Sequence, residues 1–176
     1  DCKALVKYKV SQYVTDCATG GDLRVISNPP GFTLSDTTEL LPVGSHTFIF
    51  TAKDTTGNIS KDTVVFVVKD ATLPTAVCIN GVSAALQGSG TVVVTVNQFN
   101  NNSYDNCGPL DSMKIQRLTA AGVGIGVPTQ TLTFGCADAD GVTQHKVKLT
   151  VKDKSGNEST CQTYIVIQDN VKPTIT

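Results

Sequence analysis

The sequence predicts an all-β protein of two tandem β-sandwich domains, and three observations carry that prediction. The first is a repeat. Lys53-Asp54-Thr55-Thr56-Gly57-Asn58 recurs as Lys152-Asp153-Lys154-Ser155-Gly156-Asn157, and Asp70…Pro74 recurs as Asp169…Pro173. Both landmarks move by 99 positions, a period that marks domains laid end to end. The second observation is that β-branched and aromatic runs are plentiful while helix signals are nearly absent. The third is six cysteines without a Cys-x-x-Cys pair, which suits small β-domains stapled by disulfides.

The strands follow in order. Ala4 to Val10, Ser45 to Ala52, Thr63 to Val68, Thr91 to Val96, Met113 to Leu118, Thr129 to Phe134, Lys146 to Val151 and Thr163 to Ile167 are strand-type runs. In His145-Lys146-Val147-Lys148-Leu149-Thr150-Val151-Lys152 the period of two puts Val147, Leu149 and Val151 on one face. Turn clusters punctuate the runs: Asn28-Pro29-Pro30-Gly31, Thr55-Thr56-Gly57-Asn58, Gln87-Gly88-Ser89-Gly90 and Ser155-Gly156-Asn157. The first domain is expected over residues 1–70 and the second over 71–176, with Asp70-Ala71-Thr72-Leu73-Pro74 as hinge. Asp169-Asn170-Val171-Lys172-Pro173 reads as a second hinge leading into a further domain. The opening on Asp1-Cys2 shows no signal peptide, so a fragment or processed product is expected.

Composition excludes several function classes. A net charge of −1 predicts no basic surface for nucleic acid or anionic lipid. Trp is absent and aromatic residues make up 6%, thin for a face that stacks sugars. The longest apolar runs, Val64 to Val68 and Val92 to Val96, are strand-sized, so no membrane-spanning helix is expected. Two histidines and wide cysteine spacing argue against zinc and for disulfides in an oxidising compartment. Which cysteines pair is left open by these residues alone.

Asp-x-x-Gly-Asn between two strands is first a turn: Gly57 and Gly156 allow positive φ, and Asp54 or Asp153 can accept from the backbone ahead. The functional alternative is calcium, which takes six to eight oxygen ligands. In an immunoglobulin-like sandwich the B–C loop, the F–G loop and the entry from the preceding domain share one end. That gathers Asp70, Asp105, Asn106, Asp153 and Asn157 as a candidate calcium set. Ala137-Asp138-Ala139-Asp140-Gly141 looks like half an EF-hand loop, but it lacks the downstream Glu and reads as a solvated acidic turn. Asn58-Ile59-Ser60, Asn101-Asn102-Ser103 and Asn157-Glu158-Ser159 match the N-glycosylation pattern, and are read as turn residues first. His46 and His145 each begin a strand, with no neighbouring nucleophile or carboxylate pair. Gly122-Val123-Gly124-Ile125-Gly126 lacks the helix that phosphate binding requires and reads as a flexible loop between strands. Nothing here points to catalysis.

The second half resembles the HYR (hyalin repeat) family of immunoglobulin-like modules, as found in large cell-surface adhesins of Bacteroidetes, gliding adhesins among them. Thr75-Ala76-Val77-Cys78, Ser103-Tyr104-Asp105-Asn106-Cys107-Gly108, Phe134-Gly135-Cys136 and Val151 to Cys161 running on to Asp169-Asn170-x-x-Pro173 carry the likeness. The first half shows a variant. Cys2 to Val6 looks like the family's second strand, Thr15-Asp16-Cys17 like its Asp-Asn-Cys loop, and Leu41-Pro42-Val43-Gly44 like the turn before strand F. The family's first strand is missing there, and Asp62 stands where the second domain has Cys161. The resemblance implies two tandem immunoglobulin-like β-sandwich domains and three pairings: Cys78 with Cys161, Cys2 with Cys17, and by remainder Cys107 with Cys136. It further implies a non-catalytic, structural or adhesive repeat of a long secreted or surface protein; the alternatives are a module that itself binds glycan or protein through its loops, or an accessory domain of a secreted hydrolase. Its partners would be neighbouring repeats and a surface polysaccharide or protein, with no nucleic acid and no membrane insertion. In such bacteria the pattern at Asp62-Thr63-Val64 and Asp111-Ser112-Met113 also marks O-glycosylation.

Overall fold

A computed structural model describes residues 2–15, 24–32 and 37–173. The chain forms two compact units, Asp1–Asp70 and Ala71–Thr176.

In the first unit, β1 (Lys3–Tyr8) pairs antiparallel with β3 (Thr37–Pro42). A second sheet runs β2 (Arg24–Asn28), β4 (Gly44–Lys53), β5 (Ile59–Val68), all antiparallel. Alternation decides which side chains go inward: Phe48 and Phe50 are buried on β4 while Ile49 between them is exposed. The core is aromatic. Phe32 meets Phe48 at 4.9 Å and Phe66 at 5.3 Å between ring centres, and Tyr8 meets Phe66 at 5.2 Å and Phe50 at 5.6 Å. Val10, Val25, Leu41 and Val68 fill the gaps between the rings. The Ser27 hydroxyl accepts from Phe32 N at 2.9 Å, which satisfies a polar group beside the most buried ring.

In the second unit, β6 (Val82–Ala85), β12 (Glu158–Gln168), β11 (His145–Lys152), β8 (Ser112–Leu118) and β9 (Gly124–Thr129) form one sheet in that order. β7 (Thr91–Thr95) and β10 (Thr131–Gly135) form the other. β6 runs parallel to β12, and the remaining pairs are antiparallel. The core between the sheets is mainly aliphatic: Val94, Ile115, Val147, Leu149, Val151, Ile165 and Ile167 surround Phe99 and Phe134.

Both units share one strand plan. β1–β3 corresponds to β7–β10, and β2–β4–β5 corresponds to β8–β11–β12. The repeat even holds at the level of register: Lys53↔Ile59 and His46↔Phe66 become Lys152↔Glu158 and His145↔Ile165, each shifted by 99. A first strand parallel to the last, and second and fifth strands forming the opposite sheet, make the second unit an immunoglobulin-like β-sandwich. The protein is all-β and immunoglobulin-like.

Four strands lie where the sequence pattern was weak: β2, β3, β6 and β9. The Gly122–Gly126 stretch is therefore corrected. Gly122 closes a turn through Thr119, and Gly124 onward belongs to β9 rather than to a loop. Glycine alternating with Val123, Ile125 and Val127 hid that strand, which is exposed along its whole length and so carries no buried apolar row to mark it. Among the described residues, the first unit has no counterpart of β6 beside β5.

Candidate functional site: turns, cystine and loop carboxylates

The repeated motif folds into the same hydrogen-bonded ring twice. In the first unit Asp54 Oδ1 accepts from Asn58 N at 2.7 Å and Oδ2 from Asn58 Nδ2 at 2.7 Å. Asp54 N donates to Asn58 O at 3.1 Å, and Gly57 N to Asp54 O at 3.3 Å. In the second unit Asp153 Oδ1 accepts from Asn157 N and Oδ2 from Asn157 Nδ2, both at 2.8 Å, with backbone bonds of 3.0 and 3.3 Å completing the ring. Gly57 and Gly156 sit at φ +95° and +97°, where a Cβ would strain the backbone. The residue types are thus dictated by one geometry: a carboxylate with two acceptors, a carboxamide whose amide and side chain both donate, and a glycine at the left-handed position.

Those bonds hold both carboxyls charged. Hydrogen bonding from the Asn58 side chain lowers the Asp54 pKa most, and Thr56 and the Asn58 and Gly57 amides lower it further against a smaller burial effect. For Asp153 burial is the largest effect and works upward, but the Asn157 side chain and the Asn157, Gly156 and Ser155 amides together outweigh it, so the pKa falls. Asp153 is only 2% exposed, whereas Asp54 is part-exposed.

The candidate calcium residues divide accordingly. Asp153 and Asn157 are brought together, but each carboxylate oxygen of Asp153 already accepts a bond from Asn157. Asn157 Nδ2 also reaches Thr72 O at 3.2 Å, tying the incoming segment to the turn. Thr75 pairs with Tyr104 through two backbone bonds, of 2.7 and 3.1 Å, and Asp111 N donates to Lys152 O at 2.8 Å. The Asp105 loop, the Asp153 turn and the segment around Thr72 therefore share one end of the second unit. Asp105 Oδ2 accepts from Cys107 N at 2.8 Å, while Oδ1 is buried with no hydrogen-bond partner. Asn106 is exposed and its Nδ2 donates to Cys107 Sγ at 3.2 Å. Asp70, the last residue of the first unit, is buried. The Sγ of Cys107 lies within 4.8 Å of an Asp105 oxygen but is disulfide-bonded, so it has no thiolate to give a metal. Asp153 is thus engaged within its own turn, whereas Asp105 keeps one buried oxygen that makes no hydrogen bond.

Cys78 and Cys161 form a disulfide with S–S 2.02 Å and Cα–Cα 5.9 Å. The register explains it. Val82 pairs with Ile165 across the parallel β6–β12 pair, and each cysteine lies four residues upstream of its member of that pair. Cys2 is disulfide-bonded, and Cys17, its expected partner, lies outside the described residues. The expected Cys107–Cys136 pair is corrected: Cys107 is disulfide-bonded, whereas Cys136 is a free, exposed thiol whose Sγ donates to Gly90 O at 3.4 Å. Cys136 opens a short 3-10 turn after β10 and Cys107 follows the Asp105 loop before β8, so no shared register draws them together.

The acidic segment Asp138…Asp140 divides: Asp140 is an exposed turn residue as expected, whereas Asp138 is corrected to a part-buried, ion-paired one. Asp138 meets Arg117 at 2.6 Å, and the Arg117 guanidinium lies 4.5 Å from the centre of the Phe134 ring. Burial opposes the Asp138 charge, but Arg117 and the Gly135 amide outweigh it and the pKa falls. Asp140 closes a local turn, accepting from Val142 N at 2.9 Å and from the amide and hydroxyl of Thr143. The Thr143 hydroxyl, then its amide and that of Val142, hold the Asp140 pKa down to about 2. His46 and His145 are equivalent positions, and each ring Nε2 contacts a backbone carbonyl: Pro42 O at 2.7 Å and Asp138 O at 2.8 Å. Of the three glycosylation patterns, Asn58 and Asn157 have side chains engaged in their turns.

No helix is long and apolar enough to cross a membrane among the described residues. No family model and no curated protein matches the chain. Among solved structures, it is similar to the crystal structure of the chicken CNTN1 FN1–FN3 domains, with 14% sequence identity and a TM-score of 0.34. That match covers 84% of this chain and 57% of the other, so this chain spans little more than half of that structure.

Proposed function

We propose that this chain is a non-catalytic pair of tandem modules within a longer secreted or surface-anchored adhesin, contributing reach and stiffness to a tip borne elsewhere. One observation carries the reading: the cystine between Cys78 and Cys161 joins the lead-in of β6 to β12, the first and last strands of its unit. A pull on the two ends of that unit passes through the disulfide rather than through the hydrogen bonds between strands. Such a bond persists only in an oxidising compartment, which supports an extracellular location. The turns support the same reading, because their recurring carboxylates close backbone rings and leave no acid–base pair poised for chemistry.

The test is location and reach. An antibody raised against this chain should label intact, unpermeabilised cells, and external protease should remove the label. Deleting both units in frame should shorten the distance at which the parent protein attaches. A signal confined to permeabilised cells would overturn the proposal, and so would turnover of any substrate by the purified chain.

A further inference from the structure

The sheet β6–β12–β11–β8–β9 has one face on the core and the other toward solvent, and the solvent face carries a ladder of lysines. Along β11 the period of two sends Val147, Leu149 and Val151 inward and Lys146, Lys148, Thr150 and Lys152 outward. Lys114, exposed on β8, sits directly beside Thr150. Successive outward positions on one strand are about 7 Å apart, so the ladder runs for about 20 Å. Lys114 and Lys148 make no ion pair among the described residues. Lys152 meets Glu158 at 3.5 Å, and Lys146 Nζ donates to Ala120 O at 2.8 Å. The second unit has seven basic and seven acidic residues. Four of those bases share this face with a single carboxylate, Glu158.

The fold does not require this arrangement. At the equivalent positions on β4 the first unit has Thr47, Ile49 and Thr51, with only Lys53 charged. Lysines commonly guard open sheet edges against pairing, but β11 is the central strand of five and has no open edge. Uncompensated like charges along one strand repel, so the ladder costs stability that a neutral face would keep.

We propose that this face binds a linear anionic polysaccharide, one whose chain carries carboxylate or sulfate groups. The lysine heads are compact point charges on flexible stems, which suits charges strung along an extended chain better than a bidentate pocket would. Thr150, Thr160 and Gln162 lie between the lysines on the same face and offer hydrogen bonds to sugar hydroxyls. Single-stranded nucleic acid wants a row of stacking rings, and Tyr164 is the one aromatic residue of β11 and β12 on this face. A bilayer wants apolar side chains to insert, and on those two strands this face offers Val166 alone. The inference goes beyond the spacer role and stands apart from it: a spacer with no ligand would leave that role intact.

The full chain, cystines intact, is titrated with polygalacturonate and with heparin, using neutral dextran as control, at low and at high salt. Saturable binding to an acidic chain is expected, lost at high salt because exposed charges are screened over about 10 Å at 0.1 M. The double variant Lys114→Gln/Lys148→Gln should bind about tenfold more weakly, while Lys172→Gln, away from the ladder, should bind normally. Lys114 and Lys172 are exposed and Lys148 is half-buried, and unchanged melting would show that both variants keep their fold. No binding to either acidic polysaccharide, an unaffected double variant, or tighter binding to single-stranded DNA or phosphatidylserine vesicles would each overturn the proposal.

Discussion

β5 and β12 hold the same place in their units, 99 residues apart, yet their surroundings differ. β12 has β6 along its outer edge, and Thr163 on it donates to Ile79 O at 2.6 Å and accepts from Gly81 N at 3.0 Å. Ile165 and Ile167 are fully buried as a result. β5 has no strand outside it among the described residues; Phe66, equivalent to Ile165, is only half-buried, and Val65 and Val67 on the outer face are exposed. The first unit compensates with ring packing, drawing Phe32, Phe48, Phe50, Phe66 and Tyr8 into one cluster. The second packs aliphatic side chains and adds a cystine. One strand plan is thus stabilised in two ways, and the difference follows from which neighbours the last strand has.

The comparison can be broken most forcefully at the aromatic core. Phe50→Ala should destabilise the first unit by about 3–5 kcal/mol, read from its calorimetric transition. An unshifted transition would contradict the aromatic core. Next in size, Cys78→Ser/Cys161→Ser should cost the second unit about 4 kcal/mol, since the bridge spans 83 residues.

Smaller effects sharpen the contrast between the two turns. Asn157→Ala removes the side-chain bonds to Asp153 and to Thr72 O beside a buried carboxylate, and should cost about 1–2 kcal/mol. Asn58→Ala, at the exposed copy, should cost about half as much. Chelator should leave the melting of either unit where it was if the turn carboxylates serve only their own rings; a drop of several degrees would favour calcium and point to Asp105. The least effect is the pH response at Asp140. Its folded pKa, about 2, lies below the usual carboxylate value, so its contribution is complete above that usual value. It is lost as pH falls from about 4 toward 2, the range between the unfolded and folded values. Thr143→Ala should return the Asp140 titration, followed by carboxyl NMR, toward the usual range.

Most of the strand plan was legible in the residues, since β4, β5, β11 and β12 are long, alternating and bounded by turn signals. β6 was not, because Val82-Ser83-Ala84-Ala85 is short and alanine-rich, and its stability comes from pairing with β12. The turn ring was legible because it closes within five residues. The Cys107–Cys136 error came from the opposite situation, in which a pair assigned by remainder depends on contacts remote in sequence. The lysine ladder was visible as alternation in β11 but hidden in a net charge of −1, since charge on a face emerges only when strands are set side by side.

The central claim is that the cystine, and not the sheet, carries tension across the second unit. It is tested most directly by stretching a variant that keeps only Cys78 and Cys161, one molecule at a time. Under oxidising conditions the first unit should extend while the chain between the two cysteines stays locked. Adding reductant should then release about 28–30 nm, the extended length of that segment. Release of that length before any reductant is added would contradict the account.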